Sequence, residues 1–556
     1  MRVLLVHANP FQRVTPVPAY GLERLRTAAE PTGATVAILD PYLVSGRPLE
    51  TAAEAAARFR PHLIGLGLRI LDDCVPVDRL DAPDGEPHDI TWMLPEVRRL
   101  RDALGAAAPE AVFVLGGAGF SACPYECLEY LAVNHGVVGA GEAAIGALIE
   151  RLRSGAGFEG VPGVVRRGGP RHDRAHALAF SGPTTRDPLY APVNCFPVRT
   201  RIGCAMQCVY CTASSMERVH ANGVAATVLD EIEASVEAAV ERGLDVVRFF
   251  FADDEFNLPD ERLPLGILRG LRERGLERRV RWRAYLNPTP VSDELLELAA
   301  TTGGHLSFTV DSAAEAVLRR SQKPFRRRHL DALAERLHGY SLPVDLGLIF
   351  GLPGETKATI AETRAFLRRL PGDVDVYYSA GARVYPNTPL AAIATAEPER
   401  VAGDPSFFAP AVYSSPWPAR ELARRLRELL DDLPCVRHHS VVAYRSGRTT
   451  FADAYRAVLE GAGADEWAQV LTLAERPGDV QHDPQGNLLA CLQIAVWHDR
   501  FDLAASACRR LLALELPESV SRPGLRRALL VYRALGLADR VSRRRRTATP
   551  LPEPAG

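Results

Sequence analysis

Two long stretches of this chain repeat one rhythm, a short β-rich apolar run and then a segment of helix length. That alternation limits the fold more than any other feature. In residues 1–153 the runs are RVLLVH, ATVAIL, PHLIGLGL, AVFVLGG and GVVGAG. Between about 191 and 400 a cysteine-bearing loop comes first, followed by VVRFFFAD, VRWRAYLN, HLSFTVD, VDLGLIFG and VDVYYSAGARVY. Strands separated by helices predict α/β architecture with parallel sheets. The first block reads as a doubly wound, Rossmann-like sheet and the second as a partial (β/α)6 barrel. In both, ligands bind beyond the C-terminal ends of the strands.

At 556 residues the chain exceeds what one core supports. The expected units are an α/β ligand domain over 1–153, a linker over 154–190, a barrel over 191–400 and a helical C-terminal domain over 410–540. The linker is rich in Gly, Pro and Arg, with room for a small hairpin. Helix-period segments such as PARELARRLRELLDDL and FDLAASACRRLLALEL support the helical domain. The tail over 541–556, with its run of four arginines, reads as disordered. A net charge of −2 gives no global field for nucleic acid or an anionic membrane. No stretch approaches the roughly 20 apolar residues of a spanning helix, and the N-terminus reads as a buried strand and not a signal peptide. The expectation is a cytoplasmic protein, a monomer or weak homodimer, without nucleic-acid or membrane partners. Of the 66 basic residues only Lys323 and Lys357 are lysine.

Ten cysteines in such a chain point to metal binding or catalysis sooner than to disulfides. Cys204, Cys208 and Cys211 form a C-x3-C-x2-C triplet in RTRIGCAMQCVYCTAS, with Tyr210 just before the last thiol. Three thiolates at this spacing reach three corners of a 4Fe–4S cube, whereas such a cluster ordinarily takes four. A zinc site would need a fourth ligand nearby; the next histidine is His220, the next cysteine Cys435, and Cys195 lies nine residues upstream.

The triplet resembles the signature of the radical S-adenosylmethionine (SAM) superfamily, in which the open iron faces SAM. Four further segments resemble that family in order. FFFADDEFN, with Asp253, Asp254 and Glu255, occupies the position that holds the SAM ammonium group. Capping of a helix is the bland alternative for these carboxylates. FTVDSAAEAVLRRSQK, with Ser312, is similar to an E-S…K stretch, Asp311 replacing the usual glutamate. Gly347 and Gly351 lie in GLIFGLPGE, which resembles an adenine-contacting element, and Arg383 opens RVYPNTPL, which resembles a further signature.

A doubly wound domain ahead of such a barrel resembles the cobalamin-binding class. GLGLRILDD, VLGGAGFSACP and VVGAGEAA look like its cobalamin-contacting loops, which assigns Gly116, Gly117, Gly119, Gly141 and Glu142 to that cofactor. Glycines let backbone approach a bulky ring; the alternative is a flavodoxin-like domain with glycines only in turns. The class's lower-ligand histidine motif is missing, since His7 lies inside a strand. Arg69, at the end of the third strand, is expected on the cobalt's lower face, where a guanidinium cannot coordinate. An ion pair with Asp72 or Asp73 is the bland alternative. Cys74, Cys123 and Cys127 read as structural thiols and not a second cluster.

The resemblance implies methyl transfer from SAM through cobalamin to a carbon of a small natural-product precursor or peptide, C2 of tryptophan among the candidates. An external electron donor is a further partner it allows. Tyr285, assigned a catalytic role, with Trp282, Tyr377 and Tyr378, offers aromatic surface for the substrate, although strand alternation turns only one of each pair inward. The alternatives are a cobalamin-bearing oxidoreductase or cyclase that does not methylate, and a non-enzymatic cobalamin or redox sensor.

Overall fold

The computed structural model describes residues 1–9, 18–44, 47–72, 90, 92–170, 184–190, 196–213, 221–241, 246–436, 463–475, 488, 491–492, 495–496, 500–514 and 525–534. Asp73, Cys74, Cys195, His220 and the tail over 541–556 lie outside the described residues.

Alternation along the first strand builds a sheet with two covered faces. Val3 and Leu5 enter one hydrophobic core while Leu4 and Val6 enter another, as period-two geometry requires. The strands are β1 (Arg2–His7), β2 (Thr35–Leu39), β3 (Leu63–Gly67), β4 (Val112–Gly116) and β5 (His135–Val137), with β6 (Val164–Arg166) at one edge. Their spatial order is β2-β1-β3-β4-β5-β6, parallel except for antiparallel β6. Chain direction therefore reverses between β1 and β3, the crevice where doubly wound sheets bind ligands. Part of the Gly- and Pro-rich linker is thus an edge strand, whose two valines stand among Gly, Pro and Arg without a periodic pattern.

The second sheet is made of β7 (Phe196–Val198), β10 (Val247–Phe251), β11 (Val280–Leu286), β12 (Gly304–Asp311), β13 (Val344–Phe350) and β14 (Val374–Ala380). All six are parallel and run in sequence order, the partial barrel that the alternation predicts. Between β7 and β10 the short hairpin β8 (Arg201–Ile202) and β9 (Ala221–Asn222) brackets the cysteine loop. The strands' convex face packs on the helices through residues such as Phe249, Trp282, Phe308, Leu346 and Val376. After the barrel comes a small antiparallel sheet of β15 (Ala382–Arg383), β16 (Val401–Gly403) and β17 (Ala411–Tyr413).

The C-terminal helices divide between the two layers. Helix Ala419–Leu430 buries Leu422, Leu426 and Leu430 in the barrel core. Helices Ala464–Ala474 and Phe501–Ala513 join the core beneath the first sheet, with Trp467 fully buried and its Nε1 donating to the Leu503 carbonyl at 3.1 Å. No helix among the described residues is long and apolar enough to cross a membrane.

Candidate active site

The cysteine loop leaves β8 through Gly203, whose φ of +83° is open to glycine at little cost. Cys208 is buried, and Cys204 and Cys211 are half-buried. Burial, with Asp254 nearby, pushes the Cys204 thiol up to about 12. Burial does the same to Cys208, which also reaches about 12 although Lys323 opposes it. Bare, these thiols hold their protons; a metal cluster ligates the thiolate. Among the described residues no three His, Cys, Asp or Glu side chains converge on a single ion. A tetrahedral zinc site demands that convergence, whereas a cube seats each thiolate on a different iron. The donor set, three thiols in one loop, fits the cube.

Elements far away in sequence hold the loop. The Val209 carbonyl accepts from Leu390 N at 2.8 Å, and Val209 N donates to the Ser321 carbonyl at 3.3 Å. Tyr210 Oη donates to Asp311 Oδ2 at 2.5 Å, and Lys323 Nζ lies 2.7 Å from the same oxygen. Lys323, only 2% exposed, is one of the chain's two lysines. Asp311 sits at a register shift of β12 against β13 with φ of +61°. The expected cofactor residue Tyr210 thus spends its hydroxyl inward on an anchor.

The three carboxylates after β10 divide in the same way. Asp253 accepts from Thr200 N (2.8 Å), Thr200 Oγ1 (2.5 Å) and Arg201 N (3.0 Å), so it clamps the strand that enters the cysteine loop. Asp254 is exposed, and the surrounding protein raises its pKa by desolvation. Glu255 accepts from Thr309 Oγ1, while its Oε2 is buried without a hydrogen-bond partner among the described residues. Burial pushes it up to about 8, with Thr309 and Lys323 opposing.

Ser312 is buried; its oxygen accepts from Ala314 N at 3.1 Å and meets Thr363 Oγ1 at 3.3 Å. Gly347 lies within β13 beside Tyr377 of β14. Gly351, at φ +93°, has room for no side chain: an added Cβ would stand 2.8 Å from Leu422 Cδ2. On β11, Trp282 faces the helices and donates Nε1 to Thr302 Oγ1 at 3.0 Å. Tyr285 points the other way, 40% exposed and edge-on to Phe250 with centroids 5.4 Å apart. Tyr378 packs on the helix side, edge-on to Phe350.

At the first sheet, Asn9 does work that no motif announces. Fully buried just after β1, it accepts from Arg69 N at 2.6 Å and donates to the Ile70 carbonyl at 2.7 Å. This fixes the turn that leaves Arg69 exposed at the switch point. Gly117 (φ +96°) and Gly119 pack on the same turn: added Cβ atoms would stand 2.4 Å from the Leu68 carbonyl oxygen and 2.8 Å from Ile70. Gly116 meets only ordinary contacts, and Gly141 approaches Leu25. His7 Nδ1 lies 2.8 Å from Asp40 Oδ2 inside the sheet. Cys123 and Cys127 are fully buried, one helical turn apart. Gly117 and Ala118 present backbone and a small side chain at this exposed edge, with Arg69 its charge, which suits a broad flat group.

Two latches turn this edge toward the barrel mouth. Asp72 accepts from Arg383 Nε at 2.8 Å and from Tyr385 Oη at 3.0 Å, and Asn387 Nδ2 donates to the Ala122 carbonyl at 2.8 Å. The other donors of Arg383 go to the carbonyls of Val384, Phe407 and Phe408, so this residue of the RVYPNTPL segment, expected to bind a cofactor, serves as a docking residue. Glu142 likewise bonds Arg24 Nε (3.1 Å) and Arg199 Nη2 (2.5 Å). Arg186 extends the network to Glu23 (3.3 Å) and Glu231 (3.2 Å).

Comparisons with known proteins agree with this geometry. Residues 199–367 match the radical SAM superfamily and residues 12–149 match the B12 binding domain. The chain is 24% identical to tryptophan 2-C-methyltransferase of Streptomyces laurentii over 69% of its own length and 73% of that protein. Its fold is similar to that of the radical SAM methyltransferase TsrM from Kitasatospora setae, solved with cobalamin and a 4Fe–4S cluster. That match has a TM-score of 0.68 at 21% identity, over 92% of this chain and 100% of that one. It is also similar to the cobalamin-dependent SAM radical enzyme OxsB with aqua-cobalamin, at TM-score 0.62 and 13% identity, over 96% and 84%.

Proposed function

We propose that this chain, a radical SAM protein with an N-terminal B12-binding domain, is a cobalamin-dependent C-methyltransferase. The observation that carries the reading is the docking of one ligand edge on the other. Asp72, three residues beyond Arg69, is bonded to Arg383 and Tyr385 of the barrel, and Glu142 to Arg199, five residues before Cys204. Cobalamin between these edges supplies methyl transfer from SAM to an acceptor carbon. Cys204, Cys208 and Cys211 hold the cluster, and Asp254 and Glu255 line the SAM side of the cleft.

Arg69 is assigned to the cofactor's lower face, with Asn9 holding its backbone. A guanidinium is permanently protonated and offers no lone pair to a metal. With cobalamin bound there, Arg69 would occupy the site without acting as a ligand. Tyr285, Phe250 and Tyr377 supply aromatic surface on the barrel's concave face. The acceptor is a small molecule, with C2 of tryptophan the first candidate because of the named relative. The test is anaerobic reconstitution with iron, sulfide and hydroxocobalamin, followed by incubation with SAM, a reductant and tryptophan. The expected products are 2-methyltryptophan and S-adenosylhomocysteine; absence of both overturns tryptophan as acceptor.

A further inference from the structure

Two cations lie close to the cysteine loop, and they are held differently. Lys323 on the Cys208 side is neutralised by Asp311 at 2.7 Å. Arg201 lies three residues before Cys204, in β8, and is 6% exposed. Its Nε and both Nη atoms are buried, and none has a hydrogen-bond partner among the described residues. Asp253, the nearby carboxylate, commits both oxygens to Thr200 and to the backbone of Arg201 itself. A buried guanidinium without a bonded counter-charge costs several kcal/mol, so its persistence in a fold calls for an anion. A cube bound by three thiolates is anionic and gains a further negative charge on reduction. Asp253 and Asp260 oppose the cost of burying Arg201 from a distance, and Cys204, charged once it ligates a cluster, lies within the same electrostatic reach.

We propose that Arg201 is the fixed buried cation of the cluster on its Cys204 side and holds the cluster's reduction potential up. The proposal rests on the cluster assigned above. Without this charge the reduced cluster would face Asp254, with Lys323 already spent on Asp311. Net charge, hydrogen bonding and burial are the levers that set such potentials. Arg201 is a positioning residue in electrostatic terms, and the electron itself comes from an external reductant.

The test is a redox titration of the reconstituted full-length protein, followed by electron paramagnetic resonance, in wild type, Arg201→Gln and Arg201→Lys. Iron and sulfide analysis of wild type comes first. A wild-type protein that holds no cluster defeats the cluster assignment itself, separately from the role of Arg201. Given a cluster, Arg201→Gln is expected to reduce at least tenfold less favourably at a fixed potential, about 59 mV for one electron, and Arg201→Lys to lose less than half of that. Loss of cluster from the Gln variant but not the Lys variant also supports the role. An unchanged midpoint in a fully loaded Gln variant overturns it, as does equal loss of cluster from both variants. Weaker SAM binding in equilibrium dialysis with an unchanged midpoint assigns the guanidinium to SAM's carboxylate and likewise overturns the proposal.

Discussion

The two sheets present their ligand edges by opposite means. The first offers backbone and small residues: Gly117, Ala118 and the turn that Asn9 clamps, with Arg69 its exposed charge. The second surrounds its thiols with buried ionisable groups, among them Asp253, Glu255, Asp311, Lys323 and Arg201. A broad ring is met by shape, which tolerates few side chains. A small anionic cluster is met by charge, and each buried charge needs a partner. Damage to the first edge should therefore act through fit, and damage to the second through charge.

The largest effect separates the edges outright. Replacing Cys204, Cys208 and Cys211 together by Ala is expected to reduce iron and sulfide to background and abolish SAM turnover, with cobalamin still bound. Survival of the cluster in that variant would contradict the assignment. Next comes the latch between the edges. Arg383→Ala leaves Asp72 buried without its guanidinium, and breaking such a pair costs about 3–5 kcal/mol. A fall in Tm and weaker cobalamin retention on gel filtration are expected; a wild-type Tm would show that the latch contributes nothing.

Within the first edge, Gly117→Ala sets a Cβ 2.4 Å from the Leu68 carbonyl oxygen at φ +96°. Strain of this kind costs about 1–3 kcal/mol. Cobalamin binding should weaken while iron content stays at the wild-type level, and parallel loss of both would blur the division between the edges.

The smallest effect is a pH dependence in the second sheet. Burial pushes Glu355 from 4.5 up to about 7, with Thr359 opposing. The folded state then keeps a proton that the unfolded chain has released between those values. Stability therefore falls as pH rises across that window and stays lower above it. The limit for one such group is about 3 kcal/mol. The drop in apoprotein Tm between about pH 5 and pH 8 should be smaller in Glu355→Gln; an equal drop in both would remove Glu355 as a cause.

Most strands of both sheets were legible as apolar runs beside helix-length segments; β6, set in the Gly-, Pro- and Arg-rich linker, and β7, just ahead of the cysteine loop, were not. The cysteine triplet was equally plain, since its spacing is local. The side chains' tasks were not. Asp253 and Arg383 fall in motifs expected to touch SAM, yet their bonds go to Thr200 and to Asp72, partners 53 and 311 positions away. No local pattern encodes such pairings. Lys323 did leave a trace, as a rare lysine in an arginine-rich chain. Asn9 left none, because its role depends on the register of β1 beside β3.

Methyl transfer and oxidation at the facing edges leave different products. The two are separated by following SAM with a deuterated methyl group through an anaerobic turnover of the reconstituted protein, with product mass as the readout. Methyl transfer predicts a product that carries the intact labelled methyl on carbon, with S-adenosylhomocysteine formed alongside. A product that has lost hydrogens and carries no label would contradict it.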